Sequence, residues 1–169
     1  MRIPIFFVES REICPCPECQ SSLRHRDYRF RIMKLEGGGK KILQVERLQC
    51  TNEGCHRIHN ALPDCLVPYK HYAAEVISGV LDDVITPDDE EDEDYPCEAT
   101  MLRWKHWLML NHLRIDGYLK SIGHRLLGFG HRLLESRISL LEKIRLSNDC
   151  WLEAILRMIY NSGGFLIPS

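Results

Sequence analysis

Two short cysteine motifs, Cys16-Pro-Glu-Cys19 and Cys50-Thr-Asn-Glu-Gly-Cys55, decide how the first part of this chain folds. Two residues separate the cysteines of the first motif and four separate those of the second. Both spacings fall within the range of structural zinc sites. A tetrahedral Zn²⁺ bound by four thiolates would hold the two motifs together and stabilise a segment too short to bury a core of its own. We therefore predict that Cys16, Cys19, Cys50 and Cys55 bind Zn²⁺.

The segment between the two motifs has the pattern of a β-hairpin. Gly37-Gly38-Gly39 supplies a turn, and a second β-rich run extends from Ile42 to Leu48. In the first strand, apolar and charged positions alternate, with Tyr28, Phe30 and Ile32 set against Asp27, Arg29 and Arg31. Two strands joined by a glycine turn between two cysteine motifs are the layout of a zinc ribbon, so we predict a small N-terminal β zinc ribbon.

Neighbouring residues leave the ligand set open at two positions. Cys14 could take the place of Cys16, and His59 could take the place of Cys55. The eight cysteines could instead form disulfides, but their clustering in two short motifs favours a metal site. The isolated cysteines are expected to be small buried side chains: Cys65, Cys97 and Cys150.

Length and composition indicate an ordinary globular protein. The chain has 169 residues, of which 44% are hydrophobic and 27% are charged. No apolar run reaches the roughly 18 residues that a membrane span requires. The apolar residues 1–8 are too short for a signal peptide. We therefore expect a cytoplasmic protein that does not bind membranes.

Charge is distributed unevenly along the chain. Residues 1–60 carry 11 Lys and Arg against 7 Asp and Glu, residues 61–100 carry 1 against 12, and residues 101–169 carry 10 against 5. Basic segments on both sides of an acidic insert are compatible with nucleic-acid contacts. The acidic run 88–94 is either a solvated loop or a phosphate mimic that shields a basic surface.

The middle of the chain contains two predicted helices. The first extends from Ala73 to Val84, and the second begins near Cys97. In the second helix, the side chains expected to face a core are Leu102, Trp107 and Leu110, and those expected outside are Thr100, Arg103, Trp104 and Lys105. Such a helix resembles the recognition helix of a helix-turn-helix, which enters the DNA major groove. An ordinary amphipathic helix with solvated basic side chains explains this pattern equally well.

The predicted fold class is mainly α with a small N-terminal β zinc ribbon. The expected divisions are a ribbon domain (residues 1–72), a helix-turn-helix-like region (73–113) with an acidic insert (82–94), and a C-terminal helical region (114–169). In that last region, helices are predicted over Leu133 to Leu146 and Trp151 to Tyr160. Their apolar faces suggest a homodimer through the C-terminal helices.

Residues 12–110 resemble a known group of sequences. The stretch CPCPEC, the basic hairpin, the Leu62-Pro63 to Pro68-Tyr69 connector and the helix around Thr100 and Arg103 resemble a family of small uncharacterised bacterial proteins. These are similar to the zinc-ribbon and helix-turn-helix heads of insertion-sequence transposases. The resemblance implies double-stranded DNA binding, with Cys16, Cys19, Cys50 and Cys55 as zinc ligands and Thr100 and Arg103 on the recognition helix.

The predicted function is therefore that of a non-catalytic, zinc-binding, DNA-binding protein, a targeting or regulatory factor of mobile-element or phage origin. Transposase catalysis needs three carboxylates on a fold of alternating strands and helices, and residues beyond 98 lack those strands. The predicted DNA contacts are Arg29, Arg31, Lys70, Thr100, Arg103 and Lys105. The alternative is a zinc-ribbon protein–protein adaptor, or a nucleic-acid mimic, that uses the acidic loop and the C-terminal helices.

Overall fold

A computed structural model describes residues 4–11, 13–89 and 95–168. Four strands form one sheet in the first part of the chain: β1 (Ile5–Phe7), β2 (Leu23–Lys34), β3 (Lys40–Cys50) and β4 (Ile58–Asn60). Strand β3 lies in the centre, with β2 antiparallel on one side. On its other side β3 pairs with β1 in parallel and with β4 antiparallel. The described residues confirm the expected hairpin, whose turn contains Glu36–Gly38.

Helices make up most of the second part of the chain. Their bounds are α1 (Ala74–Leu81), α2 (Glu98–Leu126), α3 (Arg132–Glu135), α4 (Leu140–Ser147) and α5 (Trp151–Asn161). Helix α2 is 29 residues long and packs against α1, α4 and α5. None of the described helices is both long enough and apolar enough to cross a membrane.

One apolar core connects the sheet to the helices. Met33 of β2 and Val45 of β3 join the same cluster as Ile77 of α1, Trp104 of α2 and Ile155 of α5. Burying large apolar side chains such as these is the main favourable contribution to folding, at about 25 cal/mol per Å². The turn end of the hairpin is therefore held by the helices, whereas its open, cysteine-bearing end lies outside this core.

Two aspartates, of which Asp116 is buried and Asp82 is exposed, fix the helices relative to one another. Asp82, at the end of α1, accepts hydrogen bonds from Arg145 Nε at 2.6 Å and from Trp151 Nε1 at 2.8 Å. Asp116 of α2 is 8% exposed and accepts the backbone N–H of Leu141 at 2.8 Å. An aspartate at a helix N-terminus satisfies an otherwise unpaired N–H group, so Asp116 stabilises the start of α4.

The prediction of which α2 side chains face the core and which face solvent is partly wrong. Trp104, expected outside, is 2% exposed, because the α2 face that meets the core includes Met101, Trp104 and Leu108. Leu102 and Leu110, expected in the core, are 58% and 67% exposed. Helix α2 has apolar residues on several sides, so its sequence alone does not show which face packs against the core.

Two further predictions need correction. The single helix expected over Leu133 to Leu146 is broken between α3 and α4, where Ser139 caps α4 by accepting the Glu142 N–H at 3.2 Å. The isolated cysteines Cys65, Cys97 and Cys150 are exposed rather than buried.

The helix-turn-helix arrangement and the division into three domains stay predictions. Residues 82–97 separate α1 from α2. The connection in a standard helix-turn-helix has about 3–4 residues. Five of the seven residues of the acidic run, 90–94, lie outside the described residues.

Candidate metal centre and cationic cleft

Four cysteine sulfurs meet at the end of the hairpin. The Sγ atoms of Cys16, Cys19, Cys50 and Cys55 all lie within 4.8 Å of one another. The Cys16–Cys55 and Cys19–Cys50 sulfur pairs are separated by 3.8 and 3.4 Å. A tetrahedral ion bonded to sulfur at about 2.3 Å requires separations near 3.8 Å. These four side chains therefore form a cluster that can hold one metal ion.

The backbone around each cysteine pair is a tight turn. Gln20 donates its N–H to the Cys16 carbonyl at 2.8 Å, and Cys55 donates its N–H to the Asn52 carbonyl at 3.0 Å. Each turn ends in a left-handed residue directly after its second cysteine, Gln20 with φ +61° and His56 with φ +46°. That conformation is uncommon for residues other than glycine, so the surrounding contacts must hold both turns in place.

Two of the thiols differ in acidity, Cys19 and Cys50. Hydrogen bonds from the side chain and backbone of Ser21 lower the pKa of the Cys19 thiol to about 6. Burial raises the pKa of the Cys50 thiol to about 12. Cys19 therefore ionises before Cys50, and a bound cation would have to displace the proton from Cys50.

A histidine and a tyrosine connect this cluster to the C-terminal helix. His59 is 8% exposed, and its Nε2 lies 3.4 Å from Cys16 Sγ while its Nδ1 lies 2.7 Å from the Tyr160 hydroxyl. Burial raises the pKa of Tyr160 to about 12, so its hydroxyl stays protonated. If Cys16 is a thiolate on a metal, Nε2 must donate to the sulfur, and Nδ1 then accepts the proton of the Tyr160 hydroxyl. A partner that orients a metal-binding group in this way fixes the geometry of the site.

The structure separates the predicted ligands from the spare candidates. The described residues that cluster are the four cysteines predicted as ligands, and Cys14 is exposed outside that cluster. His59 contacts the cluster through Cys16 rather than joining it. All eight cysteines lie within the described residues as free thiols.

A second site lies between the connector and the start of α2. A cleft of about 220 Å³ is lined by Tyr69, Lys70, His71, Tyr72, Thr100, Arg103 and Trp104. The connector is anchored to the sheet because Lys34 donates its N–H to the His71 carbonyl at 2.6 Å. The Tyr72 ring meets the buried Trp104 ring edge to face at 5.4 Å. Sheet, connector and helix thus all help to position this cleft.

The polar lining of the cleft is cationic. Arg103 donates from Nη2 to Thr100 Oγ1 at 2.9 Å, so its guanidinium is held beside the hydroxyl. Burial, followed by the charge of Arg103, lowers the pKa of Lys70. Two cations that repel each other next to a hydroxyl donor provide a binding site for an anion.

The other predicted DNA contacts lie outside the cleft. Arg31 is 8% exposed and donates to the Lys70 carbonyl at 2.9 Å, so it supports the connector instead of facing solvent. Lys105 forms an ion pair with Asp83. Arg29 is exposed. The pKa of Arg31 is lowered mainly by burial and further by the charge of Arg29.

Sequence reasoning missed several residues of these sites, among them Tyr160 and Tyr69. Tyr160 lies 101 positions from His59, and no local pattern indicates that they meet. Tyr69 lines the cleft in a left-handed conformation with φ +61°. Its position directly after Pro68 was the available signal, because proline often begins a turn.

The comparisons with known proteins give one match. No curated protein and no solved structure is significantly similar to this chain. Residues 16–104 match the family described as a domain of unknown function, DUF6431. The matched stretch is more than half of the chain and includes the four clustered cysteines and every residue that lines the cleft. The chain therefore belongs to the DUF6431 family.

Proposed function

We propose that this protein is a zinc-binding protein that binds double-stranded DNA through the cleft at the start of α2. The observation that carries this proposal is the convergence of Lys70, Thr100 and Arg103 on one cleft. They come from two segments separated by the acidic stretch, and all three were predicted as DNA contacts from the sequence. The biological role stays that of a targeting or regulatory factor of mobile-element or phage origin.

Zinc is the metal that suits the cysteine cluster best. Four thiolates are soft ligands in tetrahedral positions, which favours Zn²⁺ over Mg²⁺ or Ca²⁺, whose ligands are oxygens. A site with four protein ligands has no open position for a substrate. The metal therefore folds the ribbon, and chemistry at the metal is not part of the proposed function.

Phosphate groups suit the cleft. A DNA phosphate placed between Lys70 and Arg103 would relieve their mutual repulsion and accept a hydrogen bond from Thr100. The cleft lies at the first turns of α2, where the partial positive charge of the helix N-terminus adds to the attraction. Contacts of this kind fix position on the duplex, and Arg103 is also long enough to reach a guanine edge.

The proposal assigns different tasks to the remaining basic residues. Arg31 holds the Lys70 carbonyl and thereby positions the connector. Lys105, held by Asp83, becomes a secondary contact that must leave its ion pair before it meets a phosphate. Arg29, exposed on the hairpin, extends the positive surface next to the cleft.

A salt titration of duplex binding tests this function. Affinity of the metal-loaded protein for a generic duplex should fall steeply with salt, and Lys70→Ala with Arg103→Ala should reduce the slope of log K against log salt by about 2. Arg125→Ala with Lys143→Ala is the matched control, since it removes the same charges from exposed positions elsewhere. Equal slopes for the two double variants would reject the cleft as the DNA site.

A second candidate function is the protein–protein adaptor. The observation that favours it is a row of exposed apolar side chains on α2, where Met109, Leu110 and Leu113 are 67%, 67% and 83% exposed. The predicted homodimer through the C-terminal helices would be one form of this adaptor function. Absence of salt-dependent duplex binding, together with stable self-association that Leu113→Glu abolishes, would favour the adaptor over the DNA-binding protein.

A further inference from the structure

A second cavity lies directly beside the cationic cleft. It has a volume of about 130 Å³ and lies between the first cysteine turn, strand β4 and the residues that follow α5. Four of its lining residues carry rings, and they are His59, Tyr69, Tyr160 and Phe165. Tyr69 also lines the cationic cleft, so the two cavities share one wall. We call this second cavity the ring cavity.

The walls of the ring cavity are held in place by packing. The Tyr69 ring meets the Phe165 ring edge to face at 6.1 Å. Gly163, with φ +85°, lets the residues after α5 approach the cysteine turn, because a Cβ there would lie 3.0 Å from the Pro17 carbonyl oxygen. A cavity whose walls are already fixed binds a group at a low cost in conformational entropy.

The outer part of the ring cavity is polar. Glu18 and Arg57 both line the cavity and are exposed, whereas His59 is 8% exposed and lies at its inner end. The Glu18 carboxylate can accept a hydrogen bond, and the Arg57 guanidinium can donate one. A planar group placed between the rings would therefore meet both an acceptor and a donor at its edge.

Size and chemistry together indicate a nucleotide. Pockets that bury a whole drug-sized ligand have volumes of about 300 Å³ or more, so the ring cavity has room for one ring system. The cleft on the other side of Tyr69 suits a phosphate. A nucleotide joins a phosphate to a planar base whose edge carries hydrogen-bond donors and acceptors. A phosphorylated tyrosine also joins a phosphate to a ring, but that ring has no polar edge for Glu18 and Arg57.

We propose that the ring cavity receives one unpaired base of the DNA whose phosphate lies in the cationic cleft. This proposal rests on the proposed duplex-binding function and adds which form of the duplex is bound most tightly. Bases outside a duplex are bound by stacking on aromatic or apolar side chains and by hydrogen bonds to the Watson–Crick edge. Taking a base out of the stack costs least where it has no pairing partner. The protein therefore prefers a duplex that contains one unpaired base.

The first test compares three duplexes of otherwise identical sequence. One is fully paired, one has a single extra thymidine in one strand, and one has an abasic nucleotide in place of that thymidine. Fluorescence anisotropy with the metal-loaded full chain should show at least about tenfold tighter binding of the duplex with the extra thymidine than of either other duplex. Equal affinity for the paired duplex would overturn the proposal. Equal affinity for the abasic duplex would also overturn it, since only the flexibility of the DNA would then be recognised.

The second test removes one ring of the cavity. Phe165→Ala should reduce the preference for the unpaired base about tenfold and leave the affinity for the paired duplex unchanged. Phe129→Ala is the matched control, because its ring is 54% exposed, against 53% for Phe165, and lies outside both cavities. Arg57→Gln changes an exposed side chain and should also reduce the preference. An unchanged preference in both Phe165→Ala and Arg57→Gln, with their metal retained, would contradict the proposal.

Further measurements separate this proposal from the proposed function and from other ligands. If the paired duplex binds with the expected salt dependence but the extra thymidine adds nothing, the ring-cavity proposal alone is wrong. If Lys70→Ala with Arg103→Ala binds the paired duplex like its control, the cleft is wrong and this proposal falls with it. Thymidine monophosphate that binds as tightly as the duplex with the extra thymidine would identify a site for free nucleotides. Phenyl phosphate that binds as tightly would identify a site for phosphotyrosine, and either result would overturn the proposal.

Discussion

The cysteine end of the hairpin and the helical core hold their shapes in different ways. In residues 13–32 and 46–60, the side chains buried from solvent are Cys16, Arg31, Cys50 and His59. The helical core instead buries large aliphatic and aromatic side chains, among them Trp104 and Trp151. The first region has almost no apolar side chain to remove from water, whereas the second depends on that effect. A metal ion held by the four cysteines would supply much of the free energy that folds the cysteine end.

The cysteine cluster and the cleft are also separate sites. The cluster consists of four sulfurs that can hold one metal ion, while the cleft lies between the connector and the start of α2. The duplex binding proposed for the cleft therefore depends on a metal only through the fold. Each experiment below disrupts one of the two regions and measures whether the other keeps its structure.

The largest expected effect is that of metal removal. Structural zinc contributes binding free energy of about 10 kcal/mol or more to folding. A strong chelator should therefore unfold the two cysteine turns, residues 16–22 and 50–60, while α1, α2 and α5 keep their far-ultraviolet circular dichroism. Hydrogen exchange followed by mass spectrometry would locate the change. Loss of the helical signal together with the ribbon would show that the two regions fold as one.

Next in size is the loss of a core side chain. Trp104→Ala should lower the free energy of unfolding by about 3–5 kcal/mol, because it leaves a cavity in the helical core. Leu102→Ala, two residues away on the same helix and 58% exposed, is the matched control and should change stability by about 0.5 kcal/mol. Denaturant unfolding of the metal-loaded protein measures both. Similar losses would refute the inward orientation of Trp104.

The smallest expected effect concerns the link between the two regions. Tyr160→Phe removes the hydroxyl that is hydrogen-bonded to His59, which should lower stability by about 1 kcal/mol and speed metal loss to a chelator about fivefold. Tyr28→Phe removes a hydroxyl from a ring that is 56% exposed and serves as the control. Identical rates of metal loss in the two variants would mean that Tyr160 does not act on the metal centre.

The sequence predicted features that depend on short spacing. The four cysteine ligands follow from two motifs, and the hairpin follows from alternation over Tyr28 to Ile32 with a glycine turn. Both are local, so the pattern alone carries them. The sequence predicted that Lys70, Thr100 and Arg103 all contact DNA. It did not predict that they line one cleft, because that depends on the fold.

Long-range contacts set the limits of prediction. The burial of the Trp104 side chain depends on its contact with Tyr72, which lies on the connector 32 residues earlier. The contact of Tyr160 with His59 joins residues more than 100 positions apart. The break between α3 and α4 depends on capping at Ser139 and on Asp116 of another helix. None of these leaves a periodic signal in the sequence.

The most direct test of the central claim is the metal content of two cysteine variants. Cys14 and Cys16 lie two residues apart, yet Cys16 is buried in the cluster and Cys14 is exposed outside it. Native mass spectrometry should find one zinc ion in the wild-type protein and in Cys14→Ser, and a large loss of zinc in Cys16→Ser. A wild-type protein without bound zinc, or equal loss in the two variants, would contradict the four-cysteine centre.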